Sequence, residues 1–408
     1  MNTFSTNTQQ HLYAFLLYTS TIIVGFALCF YFSSPKMIDE NQLLHFDAQH
    51  YFDIKNIGYE GFRIAFFPLF PLLWKYLSLT VFGIIFFNFS MFIISFFALI
   101  KTLRIYSLNL ILLMLSVPSF MFFYLPYSDA LFFCTSTLIL IGLHKNILHL
   151  VLLGLFLSSL SRPSVSILLP ALFIVEFFSS SSIKTKLIKS LAYSLTSLFG
   201  LFLVGWIQYL DTNEWFKFFE IQKLWGNTLQ VPKLPLRSWG GGFMAKIDGI
   251  ALLIGSISGF ILIFYIKKYV TNRIAVPKVL IFSLAYLGGM TLAVLLFRGG
   301  SLFSLNRFLF CSPCILVLLY YFQKSTYLID YKKIMIHFLM LSLFWLLFHS
   351  YIHIIVFIQY GLASIYVLLL LSLKHCALKT YSIWLLIIIN FGFQFLLFSR
   401  FINKFWVA

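Results

Sequence analysis

The chain has 408 residues, 61% of them hydrophobic, 20% aromatic and 10% charged, with a mean hydropathy of +0.95; this excludes an ordinary soluble domain, where roughly a quarter of residues are charged. The net charge of +17 raises the question of nucleic acid, yet the basic residues gather in short clusters between apolar runs: Lys101/Arg104, Lys184/Lys186/Lys189, Lys267/Lys268/Arg273 and Lys332/Lys333. That is the positive-inside pattern of cytoplasmic loops lying against membrane lipids, so no nucleic-acid partner is expected.

Lipid offers the backbone no hydrogen-bonding partner, so repeated apolar runs of bilayer length read as an all-α polytopic bundle, one integral membrane domain over residues 1–408. The first run, Leu12 to Phe32, is longer than a signal-peptide core and lacks a basic flank or a small-residue cleavage site; it reads as a retained span. Further spans are expected near 80–100, 107–125, 128–143, 147–161, 164–178, 188–209, 248–266, 278–297, 306–322, 334–357, 361–373 and 380–399, about 11–13 in all. With the basic clusters cytoplasmic, the outer side receives the first loop (33–79), residues 124–129, the long loop 210–247 and residues 298–305.

The first loop is the densest in chemistry. Acidic residues number only 12 in the chain, yet residues 45–75 hold Asp47, Asp53 and Glu60 together with His45 and His50. Asp47, followed by His50 and Tyr51, has two readings: a general base whose pKa is raised at the edge of a low-dielectric medium, or the N-cap of a helix beginning near Ala48. Asp53 and Glu60 read as solvated charges. Ala65 to Leu77, with Pro68, Pro71, Trp74 and Tyr76, predicts an aromatic helix lying along the outer interface.

Four later groups join these candidates. Asp129 opens an expected span on the outer side, as an intramembrane functional carboxylate or as a cap. Arg162 and Arg307 are single cations at outer span ends, suited to a carboxylate or phosphate partner or else snorkelling to the interface, and Arg298 before Gly299-Gly300 is a weaker member of that class. Gln222 and Trp225 offer hydrogen bonds and a stacking face to a sugar, or simply belong to an interfacial helix. His349 and His353 share a helix face in or near a late span with His337, but without a third ligand they read as packing groups. The cysteines, Cys29, Cys134, Cys311, Cys314 and Cys376, read as buried thiols, and Cys311-x-x-Cys314 lacks the second pair a metal site needs.

Several of these pieces recur in a known order. Phe46-Asp47-Ala48-Gln49-His50-Tyr51, then Ile57-Gly58-Tyr59, then Ala65-Phe66-Phe67-Pro68-Leu69-Phe70-Pro71-Leu72 resembles the first outer loop of the PIG-V-type mannosyltransferases. Tyr127-Ser128-Asp129-Ala130-Leu131-Phe132, Ser161-Arg162-Pro163, Gln222 to Gly226 and Asn306-Arg307-Phe308 are similar to later elements of the same family. The likeness spans about residues 12–322, leaving the C-terminal spans within 323–408 without a recognised motif. Two positions depart from the pattern: Phe46 replaces a tryptophan and Asp129 a glutamate.

The resemblance implies the GT-C class of membrane glycosyltransferases. It implies transfer of a hexose, mannose by family habit, from a polyprenyl-phosphate carrier to an extracytoplasmic lipid or glycan acceptor, with inversion and with Asp47 as base. Arg162 and Arg307 would then face the phosphate, while His50, Tyr51, Asp129, Gln222 and Trp225 shape the donor site. The lipid-linked sugar is a co-substrate, no metal is expected in the absence of a DxD triplet, and a small membrane partner subunit is compatible with the class. The compartment would be a bacterial plasma membrane with the site outside, or the endoplasmic reticulum. The competing reading is a transporter or flippase for a lipid-linked sugar, which predicts paired broken helices or an internal repeat.

Overall fold

A computed structural model of the protein describes residues 2–33, 38–325, 330–348, 354–375 and 378–407. Its helices are α1 (Asn2–Ser33), α2 (Asp47–Ile57), α3 (Leu69–Tyr76), α4 (Val81–Leu103), α5 (Leu108–Leu115), α6 (Asp129–Lys145), α7 (Leu148–Ser161), α8 (Val165–Phe177), α9 (Ile183–Thr212), α10 (Phe218–Leu224), α11 (Gly241–Asn272), α12 (Lys278–Phe297), α13 (Leu305–Phe310), α14 (Pro313–Lys324), α15 (Tyr331–Phe344), α16 (Ile354–Ser372) and α17 (Lys379–Ile402). No strand forms among the described residues; a single parallel bridge joins Arg237 to Ser301.

Local chemistry sets several ends. Thr80 caps α4 by accepting from Gly83 N at 3.0 Å, and Asp330 caps α15 by accepting from Lys333 N at 2.8 Å. Left-handed residues Arg104, Asn146, Asn213 and Arg273 stop α4, α6, α9 and α11. The α11/α12 hairpin closes on small residues: a Cβ at Gly288 would sit 2.9 Å from the Gly259 Cα. That proximity lets two backbones touch where no solvent drives helices together.

Each expected span has a described helical counterpart, but not each is a full crossing. Among the described residues five helices, α4, α9, α11, α12 and α17, are long and apolar enough to cross a membrane, or up to six if the bent pair Pro118–Tyr124 and Asp129–Lys145 counts as one span. Five or six of the 11–13 expected spans are thus full crossings by length and composition among the described residues. The expected span 107–125 divides into α5 and a 3-10 segment at Pro118, and 306–322 into α13 and α14 at Pro313. Proline lacks the amide that would continue each helix, and the freed backbone is covered by neighbouring helices rather than lipid. The interfacial helix is also shorter than Ala65 to Leu77: a 3-10 turn covers Gly61–Ala65 and α3 starts only at Leu69, behind Pro68.

Helices reverse between two ends of the bundle. At the basic end Lys278 Nζ donates to Asn146 Oδ1 at 2.5 Å, Lys189 pairs with Glu176 at 3.6 Å, and Tyr269 OH donates to Ser179 O at 3.4 Å. At the other end α2, α3 and the residues flanking them meet the starts of α4 and α6 and the ends of α7, α9 and α17. The protein is thus a helical membrane protein with most of its rare carboxylates gathered at the end opposite most of its lysines.

Candidate active site

The first loop is framed before it presents any chemistry. Buried Gln208 of α9 donates through Nε2 to Ile64 O at 2.9 Å and Phe66 O at 3.2 Å, and Asp211 accepts from Tyr59 N at 2.9 Å. Gly58 at φ +85° makes room there, because a Cβ would lie 2.7 Å from Asp211 Oδ2. Phe46 precedes α2 at φ 56°, ψ −125°, a strained conformation for an aromatic residue. Trp406 and Phe401 hold its ring at 5.0 and 6.1 Å.

Phe46, not Asp47, occupies the N-cap position of α2, and no side chain caps that helix. The capping reading of Asp47 is therefore overturned. Its carboxylate turns instead to Arg307 Nη1, which donates to Oδ2 at 2.5 Å, because a guanidinium gives a stronger, charge-assisted contact than a backbone amide. Asp47 Oδ1 makes no hydrogen bond among the described residues, and the side chain keeps 20% exposure.

Asp129 is the second carboxylate of this cluster and lies where the chain bends by 107° between Tyr124 and α6. It too is not a cap: Ser128 holds that position, and the buried Asp129 carboxylate sits one residue on, at the positive end of the helix dipole. Arg307 Nε donates to its Oδ1 at 3.2 Å and Oδ2 at 2.9 Å, with Nη2 also 2.9 Å from Oδ2. Arg162 Nη2 lies 2.6 Å from the same Oδ2, in ion-pair contact off the hydrogen-bonding axis, while its Nε donates to Ser128 Oγ at 2.9 Å. Tyr51 OH shares a 2.7 Å hydrogen bond with Ser128 Oγ, and burial pushes its phenol up to about 12, so it acts as a neutral group. Two carboxylates and two guanidiniums thus converge from four segments and cancel in charge. Tyr127, absent from the expected residues, lies with its ring 4.5 Å below the Arg307 guanidinium.

A second tier borders the free side of Asp47. His50 stacks on Phe66 at 4.9 Å and meets Trp225 edge-on at 5.9 Å; burial lowers its imidazole below the ordinary value against the pull of Asp47 and Asp53, leaving it neutral at pH 7. Trp225 Nε1 is buried without a partner among the described residues. Gln222 is committed to structure: Nε2 donates to Ala65 O at 3.3 Å and Oε1 accepts from Asn227 Nδ2 at 2.6 Å. Asn227 Oδ1 in turn accepts from Arg298 Nε at 3.1 Å, and Arg298 lies on Phe303, which stacks on Trp239 at 4.1 Å. Trp239 touches Trp406, the neighbour of Phe46. This circuit of contacts begins and ends on α2 and forms an aromatic rim. Asp53 and Glu60 stay outside it, paired with Arg63 at 3.9 and 2.7 Å.

Sequence reasoning left two parts without a role. Asp248, fully buried near the start of α11, accepts from Asn306 N at 2.9 Å and Asn306 Nδ2 at 2.7 Å through Oδ1, and from Ser238 through Oδ2; Asn306 Oδ1 accepts from Ser119 Oγ at 2.9 Å. This clamp fixes the residue next to Arg307. Its signal was present, since Asp248 begins an expected apolar span just as Asp129 does. The other part is the end of α17 and its tail, which bring Phe401 and Trp406 to the rim without any motif. Behind the clamp, a cavity of about 500 Å³ is walled by Pro118, Ile247, Ile250, Phe310, Tyr366 and Leu369.

His337 bonds within its own helix, to Lys333 O at 2.5 Å, whereas His349, His353 and Cys376 lie outside the described residues. Cys311 and Cys314 are buried free thiols, and Cys311 Sγ donates to Ser119 O at 3.1 Å. Among the described residues no group of three or more His, Cys, Asp or Glu is placed to hold a metal ion. The arrangement offers one rigidly held carboxylate with a free oxygen under an aromatic rim, which suits proton abstraction from a bound hydroxyl. The chain matches no family model, no curated protein and no solved structure.

Proposed function

We propose that the protein is a membrane glycosyltransferase of the PIG-V-like, GT-C kind, moving a hexose, mannose by resemblance, from a polyprenyl-phosphate carrier to a lipid or glycan acceptor outside the cytoplasm. The observation that carries this reading is Asp47: one oxygen locked by Arg307, the other free, the whole side chain partly open beside His50, Phe66 and Trp225. The acceptor oxygen bonds to the anomeric carbon, its proton passes to Asp47 Oδ1, and the bond to the phosphate oxygen breaks with its electron pair on the phosphate. Attack from the face opposite the leaving group inverts the anomeric centre.

In this reading Arg307 and Arg162 hold and orient the carboxylates, Asp129 balances them, and Tyr51 with Ser128 fixes Arg162. Orientation of this kind is worth several kcal/mol of barrier when it holds reacting groups near attack geometry. Trp225 offers its ring and its unpartnered Nε1 to the sugar. The cavity behind the Asp248 clamp supports a lipid carrier, being walled mainly by aliphatic and aromatic side chains, with Lys246, Gln359 and Asn390 among them.

The transporter reading gains one feature, the bent pair ahead of α6, but no second such pair occurs among the described residues. The test is transfer by purified protein in detergent, using radiolabelled polyprenyl-phosphate-mannose and a panel of acceptors, for wild type and Asp47→Asn. Transfer by wild type that Asp47→Asn abolishes is the expected result. Robust transfer by the variant removes Asp47 as base, and none by wild type with any donor turns the reading to transport.

A further inference from the structure

Glycosyl transfer from a lipid phosphate leaves an anion behind, and the ion cluster has no positive charge to spare for it. Asp47 and Asp129 cancel Arg162 and Arg307, and Nε, Nη1 and Nη2 of Arg307 all face carboxylate oxygens. Arg298 is differently placed. Among the described residues no carboxylate lies within ion-pair distance of it, and its Nη2 makes no hydrogen bond. The buried acid nearest in effect, Asp248, acts on it through space but forms no ion pair with it, its oxygens being taken by Asn306 and Ser238.

The guanidinium is nonetheless firmly positioned. Nε donates to Asn227 Oδ1 at 3.1 Å, Nη1 donates to Phe303 O, and the Cζ lies 3.8 Å from the Phe303 ring centroid and 5.3 Å from that of Phe308. Its backbone is fixed as well. The outer loop runs along the end of α12 through Gln230 N to Leu296 O at 2.9 Å, Lys233 N to Gly299 O at 3.1 Å and Arg237 N to Gly300 O at 3.0 Å. Gly300 at φ +91° has no room for a side chain, since a Cβ would meet Lys233 O at 2.6 Å. Cations that stand without acids at the end opposite the basic clusters run against the positive-inside trend, and an anionic ligand accounts for that. Through Asn227 and Gln222 on one side and Phe303, Trp239 and Trp406 on the other, Arg298 belongs to the rim that borders the free side of Asp47.

We propose that Arg298, rather than Arg162 or Arg307, is the residue that contacts the phosphate of the polyprenyl-phosphate donor, through its open Nη2 edge. This rests on the glycosyl-transfer reading for the identity of the donor. The contact strengthens as the anomeric carbon–oxygen bond breaks and its electron pair settles on the phosphate. Phe303 beneath the guanidinium keeps the cation aimed while contributing no neutralising charge.

The experiment uses full-length protein in detergent and measures binding of farnesyl phosphate and of uncharged farnesol, together with donor KM. Arg298→Gln is expected to weaken farnesyl phosphate by about 10-fold or more, as loss of a charge-assisted contact does, to raise donor KM in parallel, and to leave farnesol binding and the melting temperature unchanged. Arg298→Lys restores part of the loss. Asn227→Asp, isosteric though it gives up the donor to Gln222 Oε1, hands Arg298 a carboxylate and weakens farnesyl phosphate while farnesol binding persists, whereas Arg237→Gln on the exposed loop changes neither ligand. Farnesyl phosphate binding within twofold of wild type in both Arg298→Gln and Asn227→Asp overturns the assignment. Failure of wild type to transfer sugar, with Arg298-dependent farnesyl phosphate binding intact, overturns glycosyl transfer and not the phosphate contact.

Discussion

Two buried carboxylate networks lie at opposite ends of this bundle, and they are built differently. At the basic end Glu176 of α8 takes its partners from the adjacent helix α9 alone: Tyr193 OH donates to Oε1 at 3.0 Å, and Lys189 stands 3.6 Å from Oε2, which accepts no hydrogen bond among the described residues. At the other end Asp129 and Asp47 are joined by Arg307 from a helix 260 residues beyond Asp47, with Arg162 from a fourth segment. The first network is local, its carboxylate buried, and staples two neighbouring helices. The second gathers remote segments and leaves Asp47 Oδ1 open. A buried acid that serves the fold needs only neighbours, whereas one that serves chemistry must be held by some groups and left free toward others.

The sharpest way to break this comparison is to remove the shared centre. Asp129→Ala strands two buried arginines, and the expected loss is about 3–5 kcal/mol of stability, read as a collapse of thermal stability in detergent or of yield. Asp47→Asn keeps the shape and removes the base: transfer falls by about 10²–10⁴-fold, while the melting temperature stays near that of wild type because Arg307 retains Asp129. Glu176→Gln reverses the pattern. It costs about 1–2 kcal/mol in thermal stability and leaves donor KM and turnover untouched; a loss of activity at unchanged stability would show that the two networks are coupled.

The smallest effect is a pH dependence. Burial lowers the imidazoles of His45 and His50 in the folded protein, so the unfolded chain binds more protons as pH falls below their ordinary value of about 6.5. Stability is therefore fully present above that pH and declines below it, toward the lowered folded values. Replacing both histidines with phenylalanine is expected to flatten the change in melting temperature between pH 7.5 and 5.5, and an unchanged slope would remove them as its source.

Much of this was legible because charge is scarce here. In a chain with 12 acidic residues, Asp47, Asp129, Arg162 and Arg307 stand out wherever an apolar run begins or ends, and desolvation makes such positions costly unless used. The helical class followed from hydropathy for the same reason. What spacing could not convey was direction. Asp47 and Asp129 both sit where caps sit, and only the arrival of Arg307 takes each carboxylate away from its own helix. Asp248 obeyed the same rule as Asp129, but its partners, Ser238 and Asn306, are meaningful only once α11 and α13 adjoin. Trp406 carries no local signal at all.

By itself the sequence determined the solvent this protein folds in and the few residues too polar to be idle there, because periodicity, hydropathy and isolated charges are local properties. The tertiary structure alone decided which of those charges neutralise one another, which oxygen of Asp47 remains open and why Arg298 is left without an ion pair, because pairing is a matter of distances between segments that the chain order does not contain.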